Sequence, residues 1–196
     1  LAGSASAAAQ AAAKLGFPAV LKIASPDIAH KSEIGGVEIN LASRKETSQA
    51  FTAIMGRTKR KARRARIEGA LVAPMISGGV ECILGTSLDP GLGPVIMFGM
   101  GGIYVEIYKD VSFRLAPFGT GVAMEMIREI KGYPILAGAR GGKPADIGAL
   151  AKALSRLSIF AAANAQTVQS IDINPFTVLP KGKGAMGLDA LIEPLA

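Results

Sequence analysis

Residues 71–110 read LVAPMISGGVECILGTSLDPGLGPVIMFGMGGIYVEIYKD. The stretch holds two β-type runs, a proline-glycine turn, a third apolar run and a tight GMGG corner. Three isolated acids, Glu81, Asp89 and Glu106, lie inside this apolar material. A carboxylate among strand residues is costly to bury unless a polar or cationic group meets it. The stretch therefore reads as the floor of a binding site rather than plain core, and its partners must come from elsewhere in the chain.

On the N-terminal side, Ser4 or Ser6 can cap a helix that runs through the alanines to Leu15 and stops at Gly16. Residues 17–24, FPAVLKIA, form a buried strand carrying one charge, Lys22. A polar loop with a Gly-Gly end follows over 25–36, then a short strand over 37–41. Residues 45–60 make an amphipathic helix with Phe51, Ile54 and Met55 on one face. The quoted stretch supplies strands near 70–76, 79–88 and 94–98, and VSFRLAP another. Helices are expected over 121–130 and 145–163, a strand pair over 168–179 around INP, and a last strand and turn in GAMGLDALI. Strands and helices mixed in this way favour an α+β fold over a regular alternating parallel sheet.

Composition narrows the class. With 49% hydrophobic residues, 24 glycines, 5% aromatics and no Trp, the chain has an aliphatic core and many tight corners. Its one cysteine excludes an internal disulfide and fits a reducing, cytoplasmic compartment. A start at Leu1 reads as a fragment or trimmed product, and no apolar run reaches the roughly 18 residues of a membrane helix. The net charge of +7 equals one local run, Arg57, Lys59, Arg60, Lys61, Arg63, Arg64 and Arg66. Lacking aromatics and any nucleic-acid motif, that run reads as a solvated face rather than a nucleic-acid contact.

Four features can carry chemistry. Lys22 must reach an anion or snorkel to water, and the Ser/Gly loop behind it offers N–H groups and hydroxyls suited to phosphate; an edge lysine before an ordinary loop is the plain alternative. Neither a P-loop nor a well-formed GxGxxG is present. Asp172 and Asn174 alternate in a strand, and Asp189 lies on a later one; two carboxylates and an amide oxygen suit Mg²⁺, although Asn before Pro also suits a turn. His30 is the only histidine and so the only imidazole available as nucleophile or proton shuttle.

Four segments then carry a resemblance: GFPAVLKIASPDIAHKSEIGGVEINL, residues 71–117, KGYPILAGARG and DINPFTV. Together they resemble the ATP-grasp domain of the ADP-forming acyl-CoA synthetases, relatives of the succinyl-CoA synthetase β subunit. The resemblance implies two α+β lobes, over 1–75 and 76–196 with a hinge near 72–76, enclosing ATP or ADP with Mg²⁺. It implies that Lys22 contacts the nucleotide and that the loop containing Ser25, Gly35 and Gly36 covers its phosphates. The backbone of Val72, Ala73, Pro74 and Met75 would read adenine, and Glu81 would hold the ribose. Asp172, Asn174 and Asp189 would ligate magnesium. Gly101, Gly102 and Glu106 would face the incoming phosphoryl group, and His30 resembles a second phosphate carrier proposed in the acetate-type branch. The implied reaction is acyl-CoA + ADP + phosphate ⇌ acid + CoA + ATP. Its phosphohistidine, its CoA site and its acid site lie on CoA-binding and CoA-ligase domains or subunits outside this chain. Arg114 and Arg140 could supplement the positive charge or serve as structural ion-pair partners.

Two departures stand out. Ser170 replaces the family's usual acid two residues before Asp172, and the run over 57–66 is unusually basic. A non-catalytic regulatory module, of the kind fused to protein acetyltransferases, is the alternative that Ser170 favours.

Overall fold

The alanine-rich start forms helix α1, Ala5–Leu15, because Ser4 Oγ accepts the Ala7 N–H at 3.2 Å and Gly16, at φ +92°, ends it. The computed structural model describes residues 1–102 and 109–195. It divides into two compact units, Leu1–Ser77 and Gly78–Ala196.

In the first unit, β1 (Ala19–Ala24) lies between β2 (Val37–Leu41) and β3 (Gly69–Pro74), all antiparallel. Helix α2, Arg44–Lys61, starts on Ser43, whose Oγ accepts the Glu46 N–H, while Glu46 Oε2 reaches back to the Ala42 N–H at 2.9 Å. Both helices pack on one sheet face, where Ala8, Ala12, Phe51 and Ile54 meet Ala19 and Leu21. Strand alternation sends Val20 and Lys22 to the opposite face.

The second unit is a six-stranded antiparallel sheet. Its order is β6 (Val111–Leu115), β5 (Gly93–Met100), β4 (Val80–Asp89), β7 (Val168–Val178) and β8 (Ala185–Gly187), with β9 (Leu191–Pro194) also on β7. Helices α3 (Thr120–Glu129) and α5 (Ile147–Ala163), with the single turn α4 (Tyr133–Leu136) between them, complete the unit. Leu84, Phe98, Met126, Ile127, Leu150 and Leu154 form the centre of its core. Two buried serines of α5 are satisfied locally: Ser155 and Ser158 both donate to the Phe118 carbonyl, and Ser158 Oγ accepts the Phe118 N–H. The α+β reading with antiparallel sheets holds.

One element departs from expectation. Residues 168–178 form a single strand, not a pair. Cys82 pairs with Phe176 and Leu84 with Ile173, so Ile83 alone faces Asn174 and Pro175 together. The bulge places the proline, which has no N–H, where the ladder is interrupted, and the strand continues through it. Asp89, unassigned from sequence, closes the β4–β5 turn by accepting the Gly91 and Leu92 N–H groups at 2.8 and 2.9 Å.

Asp146 caps α5 through Ala149 N–H and also accepts from Gly182 and Gly184 N–H, both at 3.0 Å. The Gly184 bond first, then those from Ala149 and Gly182 and the charge of Lys152, hold its carboxyl below the usual value of 3.8. A depressed carboxyl stabilises the fold above its unfolded-state pKa, and the stability is lost as pH falls through the folded value. Asp146→Asn is therefore expected to lower the melting temperature at pH 7. The gap to the parent should narrow as pH falls below 3.8, which thermal scans across pH will check. Among the described residues, no helix is long and apolar enough to cross a membrane.

Candidate functional site

In the first unit the helix-free sheet face is centred on Lys22, half-buried on the middle strand and paired with Val37 and Leu71. The loop 25–36 joins β1 to β2 directly behind it. Ile28 anchors this loop at 8% exposure, while His30 is exposed. Ser25 Oγ accepts the Asp27 N–H at 3.2 Å. Gly35 N–H donates to the Ser32 carbonyl and Gly36 N–H to the Lys31 carbonyl. The Gly35 and Gly36 N–H groups expected to meet phosphate are thus satisfied within the loop, and each would have to exchange its partner to do so. Gly36 leaves no room for a side chain: a Cβ there would lie 2.7 Å from Ile23 Cγ2 and 3.0 Å from the Lys31 carbonyl oxygen.

Strand β3 is the sheet edge. Ala70 exchanges N–H and C=O bonds with Ala2, which faces away from β1. By alternation, Val72 N–H and C=O also point outward, while Leu71 and Ala73 bond to β1. Met75 N–H is engaged by the Pro18 carbonyl at 2.9 Å, and Pro74 has no N–H to give. Of residues 72–75, the outward donor on this edge is Val72.

In the second unit, Cys82, Leu84, Ile96, Phe98, Ile171 and Ile173 face the helices. Alternation places Glu81, Ile83 and Gly85 of β4 and Asp172 of β7 on the opposite face, with Gly85 directly opposite Asp172. Gly101 N–H donates to the Glu81 carbonyl at 2.8 Å. A Cβ on Gly101 would stand 3.0 Å from that same carbonyl group, so the glycine permits the contact. Gly102 follows at φ +64°. Glu106 lies outside the described residues, as does the side chain of Arg140.

The β8–β9 connection runs past the β7 bulge: Leu188 N–H donates to the Pro175 carbonyl at 2.8 Å, and Leu191 pairs with Asp172. Asp189 is thereby carried to the level of Asn174. Among the described residues there is no cluster of three or more His, Cys, Asp and Glu side chains suited to a metal. A divalent ion here would rest on no more than two such carboxylates, plus the Asn174 amide and oxygens from a ligand. That donor set fits Mg²⁺, which binds through one or two carboxylates plus substrate phosphates. Ser170 Oγ donates to Glu193 Oε2 at 2.6 Å, so an acid from β9 stands beside Ser170.

Arg114 pairs with Glu129 of α3, and its strand neighbour Ser112 donates to the Met126 carbonyl of the same helix. It therefore lies on the helix-packed face, as a structural ion-pair partner. Burial first, then the nearby Glu81 charge, pushes the Cys82 thiol up to about 12. The thiolate is the reactive form. Folded protein at pH 8 is expected to resist iodoacetamide and to label stoichiometrically once unfolded in urea, as read by intact mass.

The family described as "ATP-grasp domain" matches residues 1–193. The chain belongs to the ATP-grasp family. This ATP-grasp domain is 47% identical to the 4-hydroxybutyrate–CoA ligase [ADP-forming] of Nitrosopumilus maritimus over 94% of its own length and 26% of that enzyme's. It is 48% identical to the β subunit of acetate–CoA ligase [ADP-forming] I of Pyrococcus furiosus, covering 83% of this chain and 69% of that subunit. The fold superposes with a TM-score of 0.94 and 42% identity on an acetyl-coenzyme A synthetase 1 of Ca. Korarchaeum cryptofilum, solved with coenzyme A, Ca-AMPCP and HgCl+. That match covers 100% of the ATP-grasp domain and 84% of the solved chain. The domain thus spans about a quarter of the Nitrosopumilus ligase.

Each unit brings its own sequence-predicted residues together: Lys22 with the 25–36 loop in the first, and Glu81 with Gly101, and Asp172 with the Asn174–Asp189 level, in the second. Arg57 and Glu38 form a pair that the sequence does not single out. Arg57 donates through Nε to the Gly35 carbonyl at 2.9 Å and through Nη2 to Glu38. A contact 22 residues apart leaves no periodic signal in a single sequence.

Proposed function

We propose that this chain is the nucleotide-binding part of an ADP-forming acid–CoA ligase, catalysing acyl-CoA + ADP + phosphate ⇌ acid + CoA + ATP together with CoA-binding and CoA-ligase domains. The observation that carries this reading is the placement of Glu81 and Asp172 on the helix-free face of the second sheet, in a chain 47% and 48% identical to the ligases named above. The ligase names of these relatives favour it over a regulatory module. Residues 72–76 would act as the hinge between lobes 1–75 and 76–196. Val72 N–H and C=O with the Pro74 carbonyl would read adenine, and Glu81 would accept hydrogen bonds from the ribose hydroxyls. Lys22 would place an ammonium on phosphate oxygens, while the 25–36 loop, with Ser25, Gly35, Gly36 and His30, closes over them.

Asp172, Asn174 and Asp189 would hold Mg²⁺, which when bound neutralises charge on the phosphate oxygens. The transfer breaks the P–N bond of a phosphohistidine supplied by the partner domain and forms a P–O bond to the ADP β-phosphate. This chain's part is to align donor and acceptor and to exclude water, with Gly101 and Gly102 leaving space at the corner and Glu106 beyond it. Calorimetric titration with Mg-ADP and Mg-ATP tests the reading. Binding is expected, and no heat with either nucleotide at millimolar concentration would overturn it.

A further inference from the structure

We infer that Arg57 is a positioning residue that fixes the stem of the 25–36 loop beside Lys22; its bearing on nucleotide affinity rests on the function proposed above. Of the basic run, Arg57 is only half exposed, with 33% of its side chain accessible. Its guanidinium forks between two elements, the Gly35 carbonyl at the end of the loop and the Glu38 carboxylate of β2. Gly35 sits at φ +69°, with its Cβ position 3.2 Å from Arg57 Nε, so the backbone folds tightly against the guanidinium.

The stem held in this way is continuous with the Lys22 strand. Gly36 C=O accepts the Ile23 N–H at 2.7 Å, and Val37 pairs directly with Lys22. A second tie lies at the other end, where the Arg66 backbone N–H donates to Asp27 Oδ2 at 2.6 Å. The two ends of the basic segment thus grip the two ends of the loop, and Lys61 Nζ also donates to the Glu33 carbonyl at 3.4 Å, while His30 is exposed. A planar fork is what permits this double contact; an ammonium at the same place could serve one acceptor well, not both.

The test is amide hydrogen exchange on this chain without nucleotide, followed by Mg-ADP titration. In Arg57→Ala, the Ile23, Gly35 and Gly36 amides are expected to exchange about tenfold faster, the loss of a charged hydrogen bond. Amides of the α2 core at Ile54 should be unchanged, and the Mg-ADP dissociation constant should rise by a similar factor. Glu38→Gln, which keeps the Gly35 contact, should give an intermediate effect on both. Should Arg57→Ala not fold, Arg57→Lys is measured in the same way, with smaller changes in the same direction expected. Unchanged exchange in the loop, or acceleration spread equally over α2, overturns the inference. A parent protein that binds no nucleotide sinks the proposed function instead, while the exchange data still decide the role of Arg57.

Discussion

Lys22→Ala is expected to raise the dissociation constant for Mg-ADP about 10- to 100-fold, the range that loss of a hydrogen bond from a charged group to phosphate produces. Lys22 is the charge on the middle strand of the first sheet, on the face that its helices do not cover. Both neighbouring strands fix its backbone, through Val37 and Leu71, so the side chain can be removed without losing ladder bonds. It does have a polar or electrostatic partner within the protein, and substitution removes that as well. A melting temperature measured beside each titration separates the two effects. Lys22→Arg should recover only part of the affinity, because a guanidinium is planar and larger than the ammonium it replaces. Affinity unchanged in Lys22→Ala would remove this residue from the phosphate site.

Leu154→Ala is expected to cost about 2–5 kcal/mol of stability in the second unit. Leu154 is fully buried on α5 in the core that includes Leu84, Phe98 and Leu150, with close packing on every side. Truncation leaves a cavity that a sheet backed by two helices cannot readily collapse. The probe is already in the sequence. Tyr133 packs against this core and the chain has no Trp, so its emission follows the unfolding of that unit. Urea titration followed by this signal should show a lower midpoint with an unchanged slope. An unaltered midpoint would mean that Leu154 is not part of the core whose unfolding tyrosine follows.

Much of the fold was legible because its signals are local. Ser4 or Ser6 and Gly16 mark the two ends of α1, and the spacing of Phe51, Ile54 and Met55 marks α2. The β-type and apolar runs near 79–88 and 94–98 correspond to β4, Val80–Asp89, and to the centre of β5, Gly93–Met100. Asn174–Pro175 misled for the same reason: locally it is a turn signature, and only pairing with β4 reveals a bulge inside a continuous strand. In the candidate site, Lys22 and Asp172 stood out because a charge in an apolar strand is conspicuous in sequence. The partners that hold loops in place did not. Arg57 with Gly35, and Arg66 with Asp27, meet across 22 and 39 residues, and in sequence they belong to an undifferentiated run of charge. Glu193, which the β9 register sets beside Ser170, is likewise 23 residues away in sequence and carries no local signal there.

The edge of β3 has a further consequence, for solubility. Among the described residues, the ladder on its outer side consists of the Ala2–Ala70 bridge, and Val72 lies just past it with exposed Leu71 alongside. An outward-facing edge is a template on which another extended chain can add. Pro74 cuts that template short, since the edge offers no donor there. The peptide groups proposed to read adenine are thus the same ones a stray strand would seize. On that proposal, nucleotide seated on the edge would also shield it from self-association.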